Sequence, residues 1–297
     1  MTGLRLMAIH AHPDDESSKG AATMAKYAAE GHRVKVVTCT DGRRGDILNP
    51  AMDRPGVLEN IYEVRKGEMA EAVAALGIEH EWLGYEDSGL PQGDPTPPLP
   101  EGSFALQPKQ EVAARLVKSI RELRPHVIIT YDENGGYPHP DHIMVHEISM
   151  IAWEKSGDPE FAPDAGPAWT PLKLYYTHGF IMQRMVLLHD LLLEQGKTSP
   201  YELMIKRWQE NEADVMERVT TRVECASYFD QRARALTAHA TQIDPAGAFL
   251  ASPVEDQQRV WPTEEFELAR SRVDSPVPED DLFAGIDPAA DTAHASE

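Results

Sequence analysis

LRLMAIHAHPDDES, residues 4–17, is the stretch on which the fold turns. Its first six residues carry four large apolar side chains with no helical period and read as a buried strand. The loop that follows crowds two imidazoles and three carboxylates into HAHPDDE, residues 10–16. Outward from it, strand-type runs at 33–38, 79–84, 126–130 and 172–177 alternate with helix-period runs at 19–30, 61–76, 111–123 and 142–155. Ser17 or Ser18 supplies an N-cap to the first helix, and Gly31 and Gly77 stop the first two. Strands separated by helical crossovers imply an α/β fold: a Rossmann-like, mostly parallel sheet with helices on both faces. Ligands of such sheets bind at the carboxyl ends of the strands, where the loops after the first and fourth strands lie.

The alternation defines a core over residues 1–180. From 181 to 272 the pattern weakens to helices at 182–195 and 226–240, with a strand at 219–224 between them. This part reads as a C-terminal extension that contributes to the pocket. Residues 273–297, rich in Pro, Ala and Asp, are expected to form an acidic, flexible tail, with Leu282-Phe283 as an anchor if it docks.

The chain has 297 residues, 41% apolar and 26% charged, an ordinary globular mix. Its net charge is −21, and seven of its acids lie beyond Arg272, where no Lys or Arg occurs. Such a surface repels phosphate backbones and anionic bilayers, so nucleic acid and membrane are not expected as partners. No run approaches the roughly 18 apolar residues of a membrane span, and the apolar run at 4–9 is too short for a signal peptide. Two distant cysteines, Cys39 and Cys225, make no disulfide framework and fit a reduced, cytoplasmic setting. The sequence assigns no oligomeric state.

A nucleotide-binding sheet would carry a Gly-rich turn after its first strand. HAHPDDE has no glycine there and would repel phosphate but attract a divalent cation. His12 and Asp15, three apart across Pro13, fit a pair of ligands to one ion, with Asp14 facing a bound water. The alternative is a capping cluster, in which Asp14 or Asp15 accepts helix amides. His10, at the strand end, is the weaker ligand candidate. The loop after the fourth strand, YDENGGYPHPDH (131–142), supplies partners. His142 at a helix start is a candidate third ligand. His146 one turn later is its rival, and is read in preference as a packed or supporting histidine. His139 is left to act on substrate. A His–Asp–His site with a spare carboxylate and a spare imidazole is equipment for metal-assisted hydrolysis.

HAHPDDE and GGYPHPDH (135–142) together resemble the LmbE-type zinc deacetylases, which act on N-acylated glucosaminides. GDILNPAM (45–52), DSGLP (87–91), TRVEC (221–225), HATQIDP (239–245) and WPTEEF (261–266) extend the likeness to about residue 272 and to the amidase branch of that family. That branch cleaves the amide between an S-modified N-acetylcysteine and glucosamine-inositol in mycothiol S-conjugates, releasing a mercapturic acid. The resemblance implies one Zn²⁺ per subunit, with Fe²⁺ an alternative, and a small-molecule substrate. It implies His12, Asp15 and His142 as ligands, Asp14 as general base, His139 as electrostatic stabiliser and general acid, and Tyr137 at the oxyanion. Arg65, Asp87 and Asp46 match sugar-binding positions, with Asp46 standing where many members have Glu. Lys19 marks the amidase branch, and Gln242 is a polar contact from the C-terminal region.

Plainer readings stand beside these. Arg65 could be a surface ion-pair partner, Asp87 a turn residue, Gln242 a backbone-pairing residue and Tyr137 packing. Lys19 opposes the dipole at a helix start, which favours a functional reason for it. Rival activities are deacetylation of the N-acetylglucosaminyl-inositol precursor and cleavage of a mycothiol–antibiotic adduct. A metal-binding or sensing protein without turnover is a third, against which a base beside the water argues.

Overall fold

The structure, a computed structural model, describes residues 3–211 and 214–287. The central strand is β1 (Arg5–His10), whose Leu6, Met7, Ala8 and Ile9 have no exposed surface. It pairs in parallel with β2 (Arg33–Thr40) on one side and β4 (Val127–Thr130) on the other. β3 (Glu79–Tyr85) adds outside β2, and β5 (Lys173–His178) outside β4, both parallel. Because successive side chains point to opposite faces, Met7 and Ile9 pack under α4 (Lys109–Leu123) and α5 (Pro140–Lys155). Leu6 and Ala8 pack under α2 (Ala21–Ala29), and α3 (Ile61–Leu76) and α8 (Phe229–Ala238) lie against α2. The sheet is therefore covered on both faces, as the alternation implies.

The chain leaves β1 toward β2 and β3, then returns to start β4 and β5 on the far side. That reversal opens a crevice at the carboxyl ends of β1 and β4, where ligands bind in sheets of this kind. The two polar loops begin there.

The sheet is larger than the five parallel strands plus one read from the sequence. β6 (Thr221–Glu224) is present, but β7 (Thr263–Ser271) inserts between β5 and β6, antiparallel to both, giving the order β3-β2-β1-β4-β5-β7-β6. β7 reads as a polar run because it carries Glu264, Glu265 and Glu267. Tertiary partners absorb those acids: Glu264 accepts the Thr23 amide at 2.8 Å and Glu265 the Trp261 indole N–H at 2.7 Å. Beyond this edge, α6 (Met182–Glu194), α7 (Glu202–Asn211) and α9 (Val254–Val260) pack around Leu188, Leu192 and Ile205.

A flexible tail does not describe residues 273–287. Glu279 accepts from Lys173 Nζ at 2.6 Å and from the Tyr175 hydroxyl at 2.6 Å, and Leu282 and Phe283 are buried beside Tyr27. The physical reason is the buried Lys173 ammonium in β5, which needs a counter-charge and finds it in Glu279 of this segment. Residues 288–297, the rest of the expected tail, lie outside the described residues. No helix of the described residues is long and apolar enough to cross a membrane.

Candidate metal centre and active site

β1 delivers His10 at its end, and the chain then turns through Pro13 into the single helical turn α1 (Asp15–Ser18). Asp14 makes that turn at φ 130°, a left-handed conformation rare for a residue with a side chain, so backbone strain sits at the candidate base. Across the crevice, α5 begins with His139 as N-cap and Pro140 in its first turn. His142 follows within the first turn of α5.

Three side chains converge. His12 Nδ1 is 3.2 Å from His142 Nε2, and Asp15 Oδ2 lies 3.7 Å from the first and 3.5 Å from the second. The other ring nitrogens are committed. His142 Nδ1 donates to the Gly135 carbonyl at 2.8 Å, and His12 Nε2 donates to Asp141 Oδ2 at 3.2 Å. The two facing ring nitrogens and the carboxylate therefore converge on one point, an arrangement that suits a cation once His12 gives up its proton. Zn–N bonds of about 2.0–2.1 Å at tetrahedral angles separate two nitrogens by roughly 3.3 Å, so the donor set fits a divalent ion. His146 does not join it. Its Nδ1 lies 3.0 Å from the Tyr131 carbonyl. His10 is buried with Nδ1 3.3 Å from the Tyr131 hydroxyl, and burial lowers its pKa to about 4.

The electrostatics follow from burial and the carboxylates. Burial, then the Asp15 charge, pushes Asp14 up to about 6. Burial keeps His142 well below the usual imidazole value, ready to ligate. Burial also works against a proton on His12, but Asp141, Asp87 and Asp15 outweigh it and hold His12 well above that value. His139 is lowered to about 4, by burial and then by His12. Its Nδ1 accepts the Asp141 amide at 3.1 Å, so the neutral ring carries its proton on Nε2. Tyr137 is partly exposed, packs edge-on against His142 at 4.5 Å between ring centroids, and is kept a phenol by burial of its hydroxyl and the surrounding acids.

The remaining sequence candidates divide. Lys19 is buried with Nζ 2.5 Å from Asp15 Oδ1, beside the ligand set. Asp87 lies 3.5 Å from His12 Nε2 and caps its own turn through the Gly89 amide at 2.7 Å, as its turn-residue reading expects. With His12, His139 and Asp141 it forms a second group of close donors. Arg65, Asp46 and Gln242 cluster around the loop after β2, whose Gly42 packs between Pro13 and Arg65. The Arg65 guanidinium is buried and donates to the Gly45 and Asp46 carbonyls at 3.1 and 3.2 Å, and is no surface ion-pair partner. Gln242 donates to the same Asp46 carbonyl at 2.8 Å, the backbone-pairing role. The Asp46 residue itself is exposed.

Four supporting residues escaped the sequence reading. Tyr131 donates to Asp15 Oδ2 at 2.6 Å and stacks on the His142 ring at 4.3 Å. Asp141 orients His12, and Glu16 pairs with His239 at 2.7 Å in full burial. Tyr131 and Asp141 stand in the quoted loop, and their position beside the two histidines was the available signal. The Glu16–His239 contact spans 223 residues and had none.

Comparison with known proteins shows the family of the chain. The sequence profile of the PIG-L family, described as GlcNAc-PI de-N-acetylase, matches residues 7–153. A Streptomyces coelicolor relative named mycothiol S-conjugate amidase is 59% identical over 95% of this chain and 97% of its own. A Streptomyces scabiei relative named 1D-myo-inositol 2-acetamido-2-deoxy-alpha-D-glucopyranoside deacetylase is 39% identical over 96% of this chain and 90% of its own. Among solved structures, the N,N'-diacetylchitobiose deacetylase of Pyrococcus horikoshii shares the fold, with TM-score 0.59 and 16% identity over 89% of this chain and 83% of that one. With such relatives aligned along nearly its whole length, the chain belongs to the PIG-L family of amide-bond hydrolases, the LmbE-type family its two loops resemble.

Proposed function

We propose that the protein is a zinc amidase that hydrolyses the amide between an S-conjugated N-acetylcysteine and glucosamine-inositol in mycothiol S-conjugates. The products are a mercapturic acid and glucosaminyl-inositol, and the reaction takes place in the cytoplasm. One observation carries the reaction class: His12 Nδ1, His142 Nε2 and Asp15 Oδ2 converge within 3.7 Å, with Asp14 next along the chain. The substrate follows the relatives, since identity to the amidase is 59% against 39% for the precursor deacetylase, and Lys19 stands at the ligand set. In this reading residues 1–180 hold the chemistry and 181–272 complete the pocket.

His12, Asp15 and His142 would hold the metal, which when bound acidifies a water and polarises a carbonyl oxygen. Asp14, poised at about 6, takes the proton of the attacking water. The Tyr137 hydroxyl and the Nε2–H of neutral His139 donate to the carbonyl oxygen as charge builds on it. Asp14, now carrying the proton, is the better acid for the leaving amine. His139 at about 4 holds no proton to spare at neutral pH, so it serves as a hydrogen-bond donor. The C–N bond then breaks to carboxylic acid and amine.

The test is paired hydrolysis by zinc-loaded protein of a bimane-labelled mycothiol conjugate and of N-acetylglucosaminyl-inositol, each with a chelated control. Chelator-sensitive cleavage of the conjugate is expected. Preference for the acetylated sugar would transfer the protein to the deacetylase branch, and silence in both would overturn the substrate reading.

A further inference from the structure

Beside the metal centre lies a cavity of about 150 Å³. Ser17 and Ser18 of α1 form one wall, Gly179 and Phe180 after β5 another, and Leu188 of α6 and Met204 of α7 the far side. It sits at the same carboxyl edge of the sheet as the metal centre, one strand position beyond it, over the ends of β5 and β7. α1 is shared: Asp15 turns toward the ligand set while Ser17 and Ser18 turn toward the cavity. A single side chain links the two. The stem of Lys19 lies against Gly179, where a Cβ would meet Lys19 Cγ at 3.1 Å, and its Nζ is on Asp15.

Most polar groups around the cavity are spent, although Glu265 Oε2 is buried there without a hydrogen-bond partner among the described residues. Glu264 takes the Ala22 and Thr23 amides, and Arg232 donates to Gln257 at 2.8 Å while stacked on Phe229. Arg184 is different. Its one hydrogen bond among the described residues goes to the Gly179 carbonyl, at the end of the cavity nearest Lys19. The remaining donors of its guanidinium are available to a ligand there.

The sites flanking the metal also differ in kind. Asp46 and Asp87 follow β2 and β3, and Arg65 lies in the helix between those strands, so the positions that the family resemblance assigns to the sugar fall on the β2–β3 side. The cavity falls on the β5–β7 side. A substrate whose scissile amide lies at the metal then has its amine half over one flank and its acyl half over the other.

We propose that this cavity receives the apolar S-substituent of the conjugate, with Arg184 donating to the N-acetyl carbonyl of the cysteine at its mouth. The proposal rests on the amidase reading above. An apolar cavity of about 150 Å³ holds a benzene-sized group, so a single aryl ring is the preferred occupant.

The experiment compares kcat/KM for S-benzyl and S-methyl mycothiol conjugates in zinc-loaded protein. Wild type should favour S-benzyl by about tenfold or more. Met204→Trp fills the cavity from a partly buried helix position and should collapse that ratio toward one; Leu188→Phe should do the same from the neighbouring helix α6 on that side. Arg184→Leu should lower kcat/KM for both conjugates together, mainly through KM, with partial rescue by Arg184→Lys. Thermal melts establish that each variant is folded. An unchanged benzyl-to-methyl ratio in folded Met204→Trp protein overturns the proposal while the amidase reading stands. Failure of wild type to cleave either conjugate, with the acetylated sugar cleaved instead, overturns both.

Discussion

Replacing Glu279 by alanine tests what holds residues 273–287 to the sheet. The carboxylate pairs with Lys173 Nζ at 2.6 Å, both groups being almost wholly buried, and also accepts the Tyr175 and Thr221 hydroxyls at 2.6 and 2.9 Å. Removal leaves the ammonium with two neutral acceptors, Ser275 Oγ at 3.1 Å and the Ala284 carbonyl at 3.0 Å, and leaves the Tyr175 hydroxyl only the longer contact to the Leu282 carbonyl at 3.3 Å. Breaking a buried pair by losing one partner costs about 3–5 kcal/mol, and for a chain of this size about 2 °C of Tm per kcal/mol gives a fall of about 6–10 °C. Glu279 is held below the usual carboxylate range by Lys173 and the hydroxyls against the burial that opposes them. A depressed acid stabilises above its unfolded pKa and loses that contribution as pH falls, so the gap between wild type and variant should narrow below about pH 4. Lys173→Met combined with Glu279→Leu should recover much of the loss, because neither charge remains buried alone. The assay is a thermal melt at several pH values. A variant melting within about 1 °C of wild type at neutral pH would show that this pair does not hold the segment.

Other outcomes follow from the metal centre. Asp14→Ala should lower kcat by about 10²–10⁴ with metal content unchanged, whereas His142→Ala should lose metal on dialysis; elemental analysis beside turnover separates the two roles. Activity should fall as pH drops, with the acid limb of kcat/KM at or below about pH 6, because Asp14 must be unprotonated and a bound cation draws its pKa lower. Metal affinity should rise with pH, since His12, held high by its carboxylates, must lose its proton to ligate; a pH-independent Kd would contradict that proton assignment. Asp141→Asn should weaken metal binding about 10–100-fold in a competition titration, since it loosens the orientation of the His12 ring.

Much of the core was legible because its signals are local. β1, β2, β4 and β5 are central parallel strands, and their apolar runs announce burial on both faces without reference to anything distant. The chemistry was legible for a related reason. His12, Asp14, Asp15, His139 and His142 fall in two short loops, and a parallel sheet brings both loops to one edge whatever the details of packing. What the sequence could not show are contacts between remote segments whose residues look ordinary alone. β7 reads as polar until α2 amides, Trp261 and Arg218 take its acids. The acidic segment after Arg272 reads as solvated until Lys173, buried 106 residues away from Glu279, demands a counter-charge. Arg65, Asp46 and Gln242 read as three separate polar contacts until one loop carbonyl gathers two of them. The strands and the reactive loops were set by short-range pattern and residue chemistry, whereas the seventh strand, the docked segment and the cavity beside Lys19 were decided by contacts between remote segments, because a buried polar or charged group is too costly to leave without a partner.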